Sequence, residues 1–572
     1  MGWGRGLSSQ PEPSFRYTDC VKIALGQINP TVGDFTGNVA KIVAFARRAT
    51  EARADLVVFP ELSVCGYPPA DLLEKPLFVA RCQEAIAEVA LQTHDLQLAL
   101  LCGYVTPAPE DSGKLVMNAA ALLRRGQIEF VQSKMLLPFY DVFDEQRYFA
   151  PAREQKVFVL GDETLGITIC EDAWNDKNFW EHRRYAVDPV EELVSQGASV
   201  LINLSASPYS YGKAHVRQQM MASLARRHQL PVVLVNQVGG NDSLIFDGTS
   251  MAFDPDGEMQ ALARSFHEDM VVFDTKLHTG DQHGKLCRSA DSLSAALLDA
   301  LVLGTRDYVR KCGFSRVVLG LSGGIDSALV AAIAVQALGP ENVHGYGMPS
   351  QYSSSGSIED SRKLAANLGI AFDLLPIAEI YEQFLSQLAP VFQGHNADVA
   401  QENIQSRIRG TLLMAVSNAT NALVLTTGNK SEMATGYCTL YGDMAGALAV
   451  IGDVLKTRVY ELCRYINREQ EVIPQEILSK PPSAELRPDQ KDTDSLPAYE
   501  QLDPVIEAYI ERYEGAARIA ATGELDLATI QGLIRMIDRA EYKRQQAAPV
   551  LKVTPKAFGL GRRFPIAVRS EV

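Results

Sequence analysis

The sequence lacks the residue patterns that define several hydrolase and scaffold classes. Its nine cysteines form no CxxC pair and no zinc-ligand spacing, which argues against a disulfide scaffold or a zinc ribbon. Its nine histidines form no HExxH pattern, so a zinc hydrolase is disfavoured. Scattered thiols in so long a chain indicate a reducing, cytoplasmic setting.

Charge and hydropathy argue against two kinds of partner. The formal net charge is -15 and the isoelectric point about 5.2, which disfavours a broad nucleic-acid-binding face. No apolar run is long enough to span a bilayer. The first 19 residues lack the apolar core of a secretory signal. We therefore expect no nucleic acid partner, no membrane partner and a cytoplasmic location.

The composition is that of a globular protein with more than one domain. Hydrophobic residues make up 47% and charged residues 22% of the chain, as in soluble globular proteins. Its length of 572 residues is too great for one ordinary hydrophobic core. Apolar runs alternate with helical patterns, which predicts an α/β architecture. The polar stretch 275–290 is the candidate linker, so we expect domains at 20–275 and 290–572. The Pro- and Asp-rich stretch 481–498 is expected to be a loop over a site or partly disordered.

Hydrophobic periodicity gives the elements of each half. In the first half it predicts helices at 38–54, 80–92 and 213–228, and strands at 21–28, 55–59, 96–104, 116–124, 165–170, 199–204 and 232–237. In the second half it predicts helices at 292–312, from 326, at 358–368 and at 401–421, and strands at 316–321, 343–346, 372–376 and 422–426. Gly126 marks a hairpin within 116–130.

The sharpest motif is the segment SGGIDS at Ser322–Ser327, between a β-branched strand and an apolar helix. Its glycines let backbone N–H groups turn toward an anion, and the helix N-terminus favours a phosphate. Ser322 and Ser327 supply hydroxyl donors, and Asp326 can hold a magnesium ion. No Gly-Lys-Ser/Thr follows, so this is not a Walker A loop. The segment resembles the pyrophosphate loop of the N-type ATP pyrophosphatases.

Five further sequence segments of the second half indicate which enzyme of that ATP class the chain resembles. They are LTTGNKSE at 425–432, TLYGD at 439–443, GDVLKT at 452–457, PSAEL at 482–486 and GLGRRFP at 559–565. In this order they resemble the NAD synthetases across the whole second half. The resemblance implies a Rossmann-like parallel-sheet domain that binds ATP, magnesium and deamido-NAD.

The resemblance assigns roles at matching positions. It implies ATP contacts at Gly320, Leu321, Ser322, Gly323, Gly324, Ile325, Asp326, Ser327, Thr427, Lys456 and Ser483. It implies that Asp326 and Glu432 hold Mg²⁺. It implies deamido-NAD contacts at Asn403, Arg409, Glu432, Asp443 and Lys543. Cations and amides suit a substrate with a pyrophosphate and carboxylate or ribose ends.

Three residues at predicted strand ends of the first half suit amide hydrolysis. Cys170 would attack an amide carbonyl and form a thioester. Glu61 would take the thiol proton and pass it to the leaving ammonia. Lys134 would lower the thiol pKa and stabilise the oxyanion. Strand ends gather in one crevice in α/β folds, so we expect the three side chains to meet.

The segments around these residues resemble the nitrilase superfamily, in particular the glutaminase domain of NAD synthetases. They are FPELSVCGYPPADL, SKMLLPFYDVFDEQRYF and GITICEDAW. The resemblance implies an α-β-β-α sandwich. It also implies that Glu145 supports the catalytic residues and that Tyr140, Ser207 and Lys213 contact glutamine. Tyr67 is a looser candidate for the pocket wall.

The two halves together imply one reaction. Deamido-NAD, ATP and glutamine would give NAD, AMP, pyrophosphate and glutamate through an acyl adenylate, and relatives of this kind imply a homo-oligomer. Two alternatives remain at this point. One is an enzyme of the same ATP class that acts on a different carboxylate. The other is a nucleotide-binding sensor without catalysis, which the intact candidate residues in both halves disfavour.

Overall fold

The computed structural model describes residues 21–276, 286–287, 292–483, 485–488 and 490–569. Most of the expected linker at 275–290 lies outside these residues. No helix within the described ranges is long and apolar enough to cross a membrane.

The first half contains fourteen strands and five α-helices in the described ranges. The strands are β1 Lys22–Gln27, β2 Leu56–Val58, β3 Ala99–Pro107, β4 Val116–Arg124, β5 Gln127–Ser133, β6 Val157–Leu160, β7 Glu163–Ile169, β8 Val200–Ser205, β9 Val232–Asn236, β10 Val238–Asn241, β11 Leu244–Asp247, β12 Met251–Phe253, β13 Met259–Leu262 and β14 Asp269–Asp274. The helices are α1 Phe35–Glu51, α2 Pro76–Gln92, α3 Glu145–Tyr148, α4 Pro189–Ser195 and α5 Lys213–His228.

Two six-stranded sheets pack face to face between two helical layers. Their strand orders are β14-β1-β2-β3-β4-β5 and β13-β12-β9-β8-β7-β6, each parallel in its centre and antiparallel toward its edges. Ile23, Val58, Ile167 and Val233 belong to the core cluster between the sheets. α1 and α2 cover one outer face, and α4 and α5 cover the other. This confirms the predicted α-β-β-α sandwich.

The second half contains five strands and twelve α-helices in the described ranges. The strands are β15 Val317–Gly320, β16 Val343–Gly347, β17 Ala371–Leu374, β18 Leu423–Thr426 and β19 Leu448–Ala449. The helices are α6 Leu293–Lys311, α7 Ile325–Leu338, α8 Ser355–Leu368, α9 Ala378–Phe392, α10 Asp398–Thr420, α11 Lys430–Thr435, α12 Lys456–Ile466, α13 Gln475–Ser479, α14 Tyr499–Ile506, α15 Ala516–Thr522, α16 Leu527–Arg539 and α17 Glu541–Arg544.

The second half is built on a parallel sheet of order β17-β16-β15-β18-β19. The chain adds strands on one side of β15 and then crosses to β18 on the other side. Such a reversal opens a crevice at the carboxyl ends of the two strands, where ligands bind in open α/β sheets. α7 is apolar almost all round, and ten of its residues belong to the core cluster on one face of the sheet. The predicted parallel-sheet fold is confirmed.

The predicted elements match the structure within a few residues at their ends. The hairpin at 116–130 is β4 and β5, and the helix at 213–228 has the predicted bounds. The strands that were not predicted are β6, β10 to β14 and β19. Of these, β14 forms an edge of the first sheet by pairing with β1.

The two halves are in direct contact. The Lys311 ammonium at the end of α6 donates to Asn29 Oδ1, Pro30 O and Gly240 O at 2.8, 3.0 and 2.9 Å. Near the other end of the chain, Lys552 N donates to Ser243 O at 2.8 Å. The second half therefore contacts the sandwich at both its first helix and its final segment.

Candidate active sites

The first site forms where three strand ends of the sandwich meet. Glu61 follows β2, Lys134 follows β5, and Cys170 follows β7. All three are at least nine-tenths buried. β3 runs directly behind the Glu61 turn, because a Cβ on Gly103 would lie 2.3 Å from Leu62 N. We call Glu61, Lys134, Glu145 and Cys170 the cysteine site.

The Lys134 ammonium joins the two glutamates of the cysteine site. Its Nζ lies 2.7 Å from Glu61 Oε1 and 2.8 and 2.9 Å from the two oxygens of Glu145. The Tyr67 hydroxyl also donates to Glu145 at 2.8 Å. Burial alone would lower the pKa of Lys134, but Glu145 and Glu61 raise it well above its ordinary value. Burial raises the pKa of Glu145 to about 7, which the charge of Lys134 opposes.

The Glu61 carboxylate is held in one orientation by two further donors. Asn118 Nδ2 donates to Oε1 at 2.7 Å, and the backbone N–H of Ala206 donates to Oε2 at 2.9 Å. A carboxylate fixed on both oxygens loses little freedom when it receives a proton from a neighbour. This arrangement suits a general base.

Cys170 begins a short 3-10 turn with a left-handed backbone, φ +44°. The Asp172 carboxylate ties this turn to the Lys134 strand end, because it accepts the N–H groups of Ile169, Met135 and Leu136 at 3.0, 3.0 and 2.7 Å. Burial and the charge of Glu61 raise the pKa of the Cys170 thiol, and Lys134 only partly opposes this. The resting thiol is therefore protonated, and its activation requires a base rather than Lys134 alone.

Three residues are expected to contact glutamine, namely Tyr140, Ser207 and Lys213. The Tyr140 hydroxyl donates to both oxygens of Glu171 at 3.1 and 2.9 Å. Ser207 is buried, and its backbone N–H donates to Asn236 Oδ1 at 2.8 Å. Lys213 Nζ donates to Pro208 O at 2.9 Å, and burial lowers its pKa to about 8.

Residues that the motifs do not single out also hold the cysteine site. They are Asn118, Asp172 and Asn203, whose Nδ2 donates to the carbonyl of Cys170 at 3.2 Å. Asp172 belongs to the quoted segment GITICEDAW, so its position was visible. Its role was not visible, because two of its three partners, Met135 and Leu136, lie at another strand end.

The second site is a cavity of about 300 Å³ at the carboxyl ends of β15 and β18. Every residue from Gly320 to Ser327 lines it, so the predicted phosphate loop faces the cavity along its whole length. Gly323 has φ +76°, and a Cβ there would lie 2.5 Å from Ser357 O of α8. Only glycine lets the loop pack this closely, and it leaves the N-terminus of α7 open toward the cavity. We call this space the phosphate cavity.

Two carboxylates and one ammonium meet in the wall of the phosphate cavity. Lys456 Nζ forms an ion pair with Asp326 and lies 3.7 Å from Glu432 Oε1. Asn429 Nδ2 donates to Asp326 at 2.9 Å, and the Asn429 N–H donates to Glu432 at 3.2 Å. Burial and the charge of Asp326 raise the pKa of Glu432 to about 8, and Lys456 opposes this.

This donor set fits a magnesium ion that is also bound to phosphates. In the described part of the chain, no group of three or more His, Cys, Asp or Glu residues is arranged to hold a metal. Magnesium needs only one or two protein carboxylates when phosphate oxygens and waters complete its shell. Asp326 and Glu432 are hard oxygen donors on the wall of the cavity, so they meet that requirement.

The remaining residues expected in the second site divide into two groups. Thr427, Ser483, Arg409 and Asp443 line the phosphate cavity together with Lys456. Asn403 and Lys543 are not among its lining residues. Asn403 Oδ1 accepts from the Thr439 hydroxyl at 2.8 Å, and Lys543 Nζ donates to Gly436 O and Cys438 O at 2.8 Å each. Both therefore hold the backbone that carries Asp443.

The expected loop at 481–498 contributes to the wall of the cavity. Pro481, Pro482, Ser483 and Glu485 line it. Glu485 accepts the Ser357 hydroxyl at 2.7 Å, and Lys480 Nζ donates to the same hydroxyl at 2.8 Å. Lys480 and Ser357 belong to no quoted motif. Only the packing of this loop against α8 places them beside the phosphate loop.

Comparison with known proteins agrees with both sites. The carbon-nitrogen hydrolase family model matches residues 22–282, and the NAD synthase family model matches residues 297–547. These matches define the class, which is a carbon-nitrogen hydrolase domain joined to an NAD synthase domain.

Relatives match this chain over nearly their whole length. A glutamine-dependent NAD(+) synthetase of Synechocystis sp. is 48% identical over 95% of this chain and 98% of its own length. One of Thermotoga maritima is 42% identical over 96% and 99%. The solved structure of the Acinetobacter baumannii enzyme in complex with adenosine diphosphate is 41% identical, covers 96% of this chain and 98% of its own, and has a TM-score of 0.75. The chain belongs to the family of glutamine-dependent NAD(+) synthetases.

Proposed function

We propose that this chain amidates deamido-NAD to NAD with ATP, using ammonia that the cysteine site releases from glutamine. The observation that carries the proposal is the presence of two complete sites in one chain. One has a buried cysteine beside an oriented glutamate and a buried ammonium. The other has a glycine-rich loop and a helix N-terminus facing a cavity.

At the cysteine site, Glu61 takes the proton of the Cys170 thiol as the sulfur attacks the glutamine carboxamide. The protonated Glu61 gives this proton to the departing ammonia, which leaves a thioester on Cys170. Glu61 then takes a proton from water, whose oxygen attacks the thioester and releases glutamate and the thiol. Lys134 and the backbone beside Cys170 stabilise the oxyanion in both steps. Tyr140, Ser207 and Lys213 hold the glutamine.

In the phosphate cavity, residues 320–327, Thr427, Lys456 and Ser483 hold ATP with its α-phosphate open to attack. The nicotinate carboxylate of deamido-NAD attacks that phosphorus and displaces pyrophosphate. Ammonia then attacks the acyl adenylate and displaces AMP. Magnesium on Asp326 and Glu432 supplies neutralising charge for the phosphates when it is bound. Arg409 and Asp443 contact deamido-NAD, and Asn403 and Lys543 fix the neighbouring backbone.

Three further properties complete the proposal. We assign the glutaminase domain to residues 20–275 and the synthetase domain to residues 290–572. The enzyme works in the cytoplasm, and it forms a homo-oligomer. Size measurement in solution tests the last assignment.

The decisive experiment separates the two nitrogen donors. Cys170→Ala removes the nucleophile with little change in volume, so glutamine-dependent synthesis should fall by several orders of magnitude. Ammonia-dependent synthesis should stay within about tenfold, because the acyl adenylate forms in the other half. Cys82→Ala is the matched control, since Cys82 is buried on α2 in the outer layer. It should retain both activities.

Two results would contradict the proposal. Retained glutamine-dependent synthesis in Cys170→Ala would remove the cysteine from the reaction. If wild-type protein amidates another acid in preference to deamido-NAD in a panel of carboxylates, the enzyme belongs to the same ATP class but has a different substrate.

A further inference from the structure

The phosphate loop contains no cation of its own. Its residues 320–327 offer backbone N–H groups and the hydroxyls of Ser322 and Ser327, and its one charged side chain is the anion Asp326. Loops of the Walker A type carry a lysine that reaches the β- and γ-phosphates. The pyrophosphate leaving group is a polyanion, so a cation must reach it here from another part of the chain.

The cations that line the phosphate cavity in the described part of the chain are Arg409, Lys456 and Lys480. Lys456 forms an ion pair with Asp326, which the mechanism above assigns to magnesium. Arg409 Nε donates to Met348 O at 3.0 Å, and this residue is assigned to deamido-NAD. Lys480 is the cation of the cavity wall that has no part in the mechanism above.

The Lys480 ammonium is bound to the residue that packs on the middle of the phosphate loop. Its Nζ donates to the Ser357 hydroxyl at 2.8 Å, and a Cβ on Gly323 would lie 2.5 Å from Ser357 O. The Ser357 hydroxyl can accept this hydrogen bond because it donates its own proton to Glu485 at 2.7 Å. Ser357 therefore connects the ammonium of a distant segment to the loop.

The contacts of Lys480 fix its direction and leave it able to bind an anion. Nζ also donates to Asp360 Oδ2 at 3.1 Å, and Asp360 lies one turn after Ser357 on α8. An ammonium has three N–H donors, and these two contacts within the described residues use two of them. The side chain is 31% exposed on the cavity wall. One donor therefore remains for a phosphate oxygen.

We propose that Lys480 binds the β,γ-pyrophosphate of ATP and stabilises it as the leaving group, with Ser357 and Asp360 as positioning residues. The inference rests on the proposed function and adds the cation that the loop lacks. When the carboxylate oxygen of deamido-NAD bonds to the α-phosphorus, the bond from that phosphorus to the bridging oxygen breaks, and its electron pair goes to pyrophosphate. Lys480 donates a hydrogen bond to this growing charge and transfers no proton.

The test compares pyrophosphate with AMP as inhibitors of a charge-deletion variant. Lys480→Met keeps most of the side-chain length and removes the charge. Its kcat/KM for ATP in ammonia-dependent NAD synthesis should fall about 100-fold, or roughly 2.7 kcal/mol, the scale expected when one charge-stabilising donor is lost. Magnesium pyrophosphate should inhibit the variant at least about tenfold more weakly than wild-type protein. AMP lacks the pyrophosphate, so its inhibition constant should be unchanged.

Two control variants separate phosphate binding from folding. Lys480→Arg keeps the positive charge and its donors, so it should stay within about tenfold of wild-type protein. Lys363→Met removes a lysine of α8 that pairs with Glu471 and Glu476 at 3.1 Å each and is not among the residues lining the cavity. It should behave like wild-type protein. Glutamine hydrolysis at the cysteine site should be unchanged in all three variants.

The outcomes are distinct. If Lys480→Met weakens inhibition by pyrophosphate and by AMP to the same extent, Lys480 only supports the cavity wall and the inference is wrong. Wild-type inhibition by pyrophosphate in this variant would also contradict it. If wild-type protein makes no NAD from deamido-NAD and ATP with either nitrogen donor, the proposed function itself fails.

Discussion

Lys134 is the residue whose replacement tests the electrostatics of the cysteine site most directly. It has no exposed surface and contacts two buried carboxylates at 2.7 to 2.9 Å. Lys134→Met keeps most of the side-chain volume and leaves Glu61 and Glu145 without their cation. Breaking a buried ion pair in this way costs about 3–5 kcal/mol. We expect the free energy of unfolding to fall by that amount near about pH 8.

The loss should depend on pH with a definite sign. The pKa of Glu145 is already raised from 4.5 to about 7 by burial, and Lys134 opposes the rise. Without Lys134 the pKa rises further, so the folded state holds a proton that the unfolded state releases. The stability contributed by this group is present below about pH 4.5 and is lost as the pH rises through the folded pKa. The slope reaches about 1.4 kcal/mol per pH unit for one proton.

Thermal unfolding at about pH 5.5 and about pH 8 measures the effect. For a domain of 150–250 residues, 1 kcal/mol corresponds to about 2–4 °C, so Tm near about pH 8 should fall by roughly 6–20 °C. Lys156→Met is the control, since the exposed Lys156 ammonium pairs with the exposed Glu154 carboxylate. A Tm loss that is equal at both pH values, or no larger than that of the control, would refute the reasoning.

Two further predictions concern the phosphate cavity. If residues 320–327 hold the β- and γ-phosphates, the products are AMP and pyrophosphate, and one oxygen from carboxylate-labelled deamido-NAD should appear in AMP by mass spectrometry; ADP and orthophosphate would overturn this assignment. Glu432→Gln and Asp326→Asn should abolish synthesis with either nitrogen donor while glutamine hydrolysis continues, because each removes an oxygen donor to magnesium. Near-normal NAD formation by either variant at low magnesium would take that residue out of the metal site.

The parts of the fold that follow from short sequence patterns could be predicted. β2, β7 and β15 are apolar runs that end at Glu61, Cys170 and the glycine-rich loop, so the chain itself connects strand and chemistry. β14 could not be found in this way. It pairs with β1 through Lys22 and Asp274, and that pairing depends on packing between distant parts of the chain.

The sites show the same limit. The meeting of Glu61, Lys134 and Cys170 could be predicted from the motifs, because each residue follows a strand of the same sandwich. The partners of Asp172 cannot be inferred from spacing, because it binds residues from another strand end. Arg409 belongs to the cavity wall and Asn403, on the same helix, does not, a difference set by how α10 packs rather than by residue type.

The final segment of the chain sets an order for biosynthesis. Lys552 and Lys556 lie 3.2 and 3.4 Å from the two oxygens of Asp141, the residue after Tyr140, and the latter pair is 415 positions apart in sequence. At about 5–20 residues per second, the ribosome needs roughly 20–80 s between these residues. The sandwich can fold long before then, but the turn beside its glutamine pocket acquires these two cations last. The turn that carries Tyr140 therefore receives these two cations only after most of the second half has been synthesised.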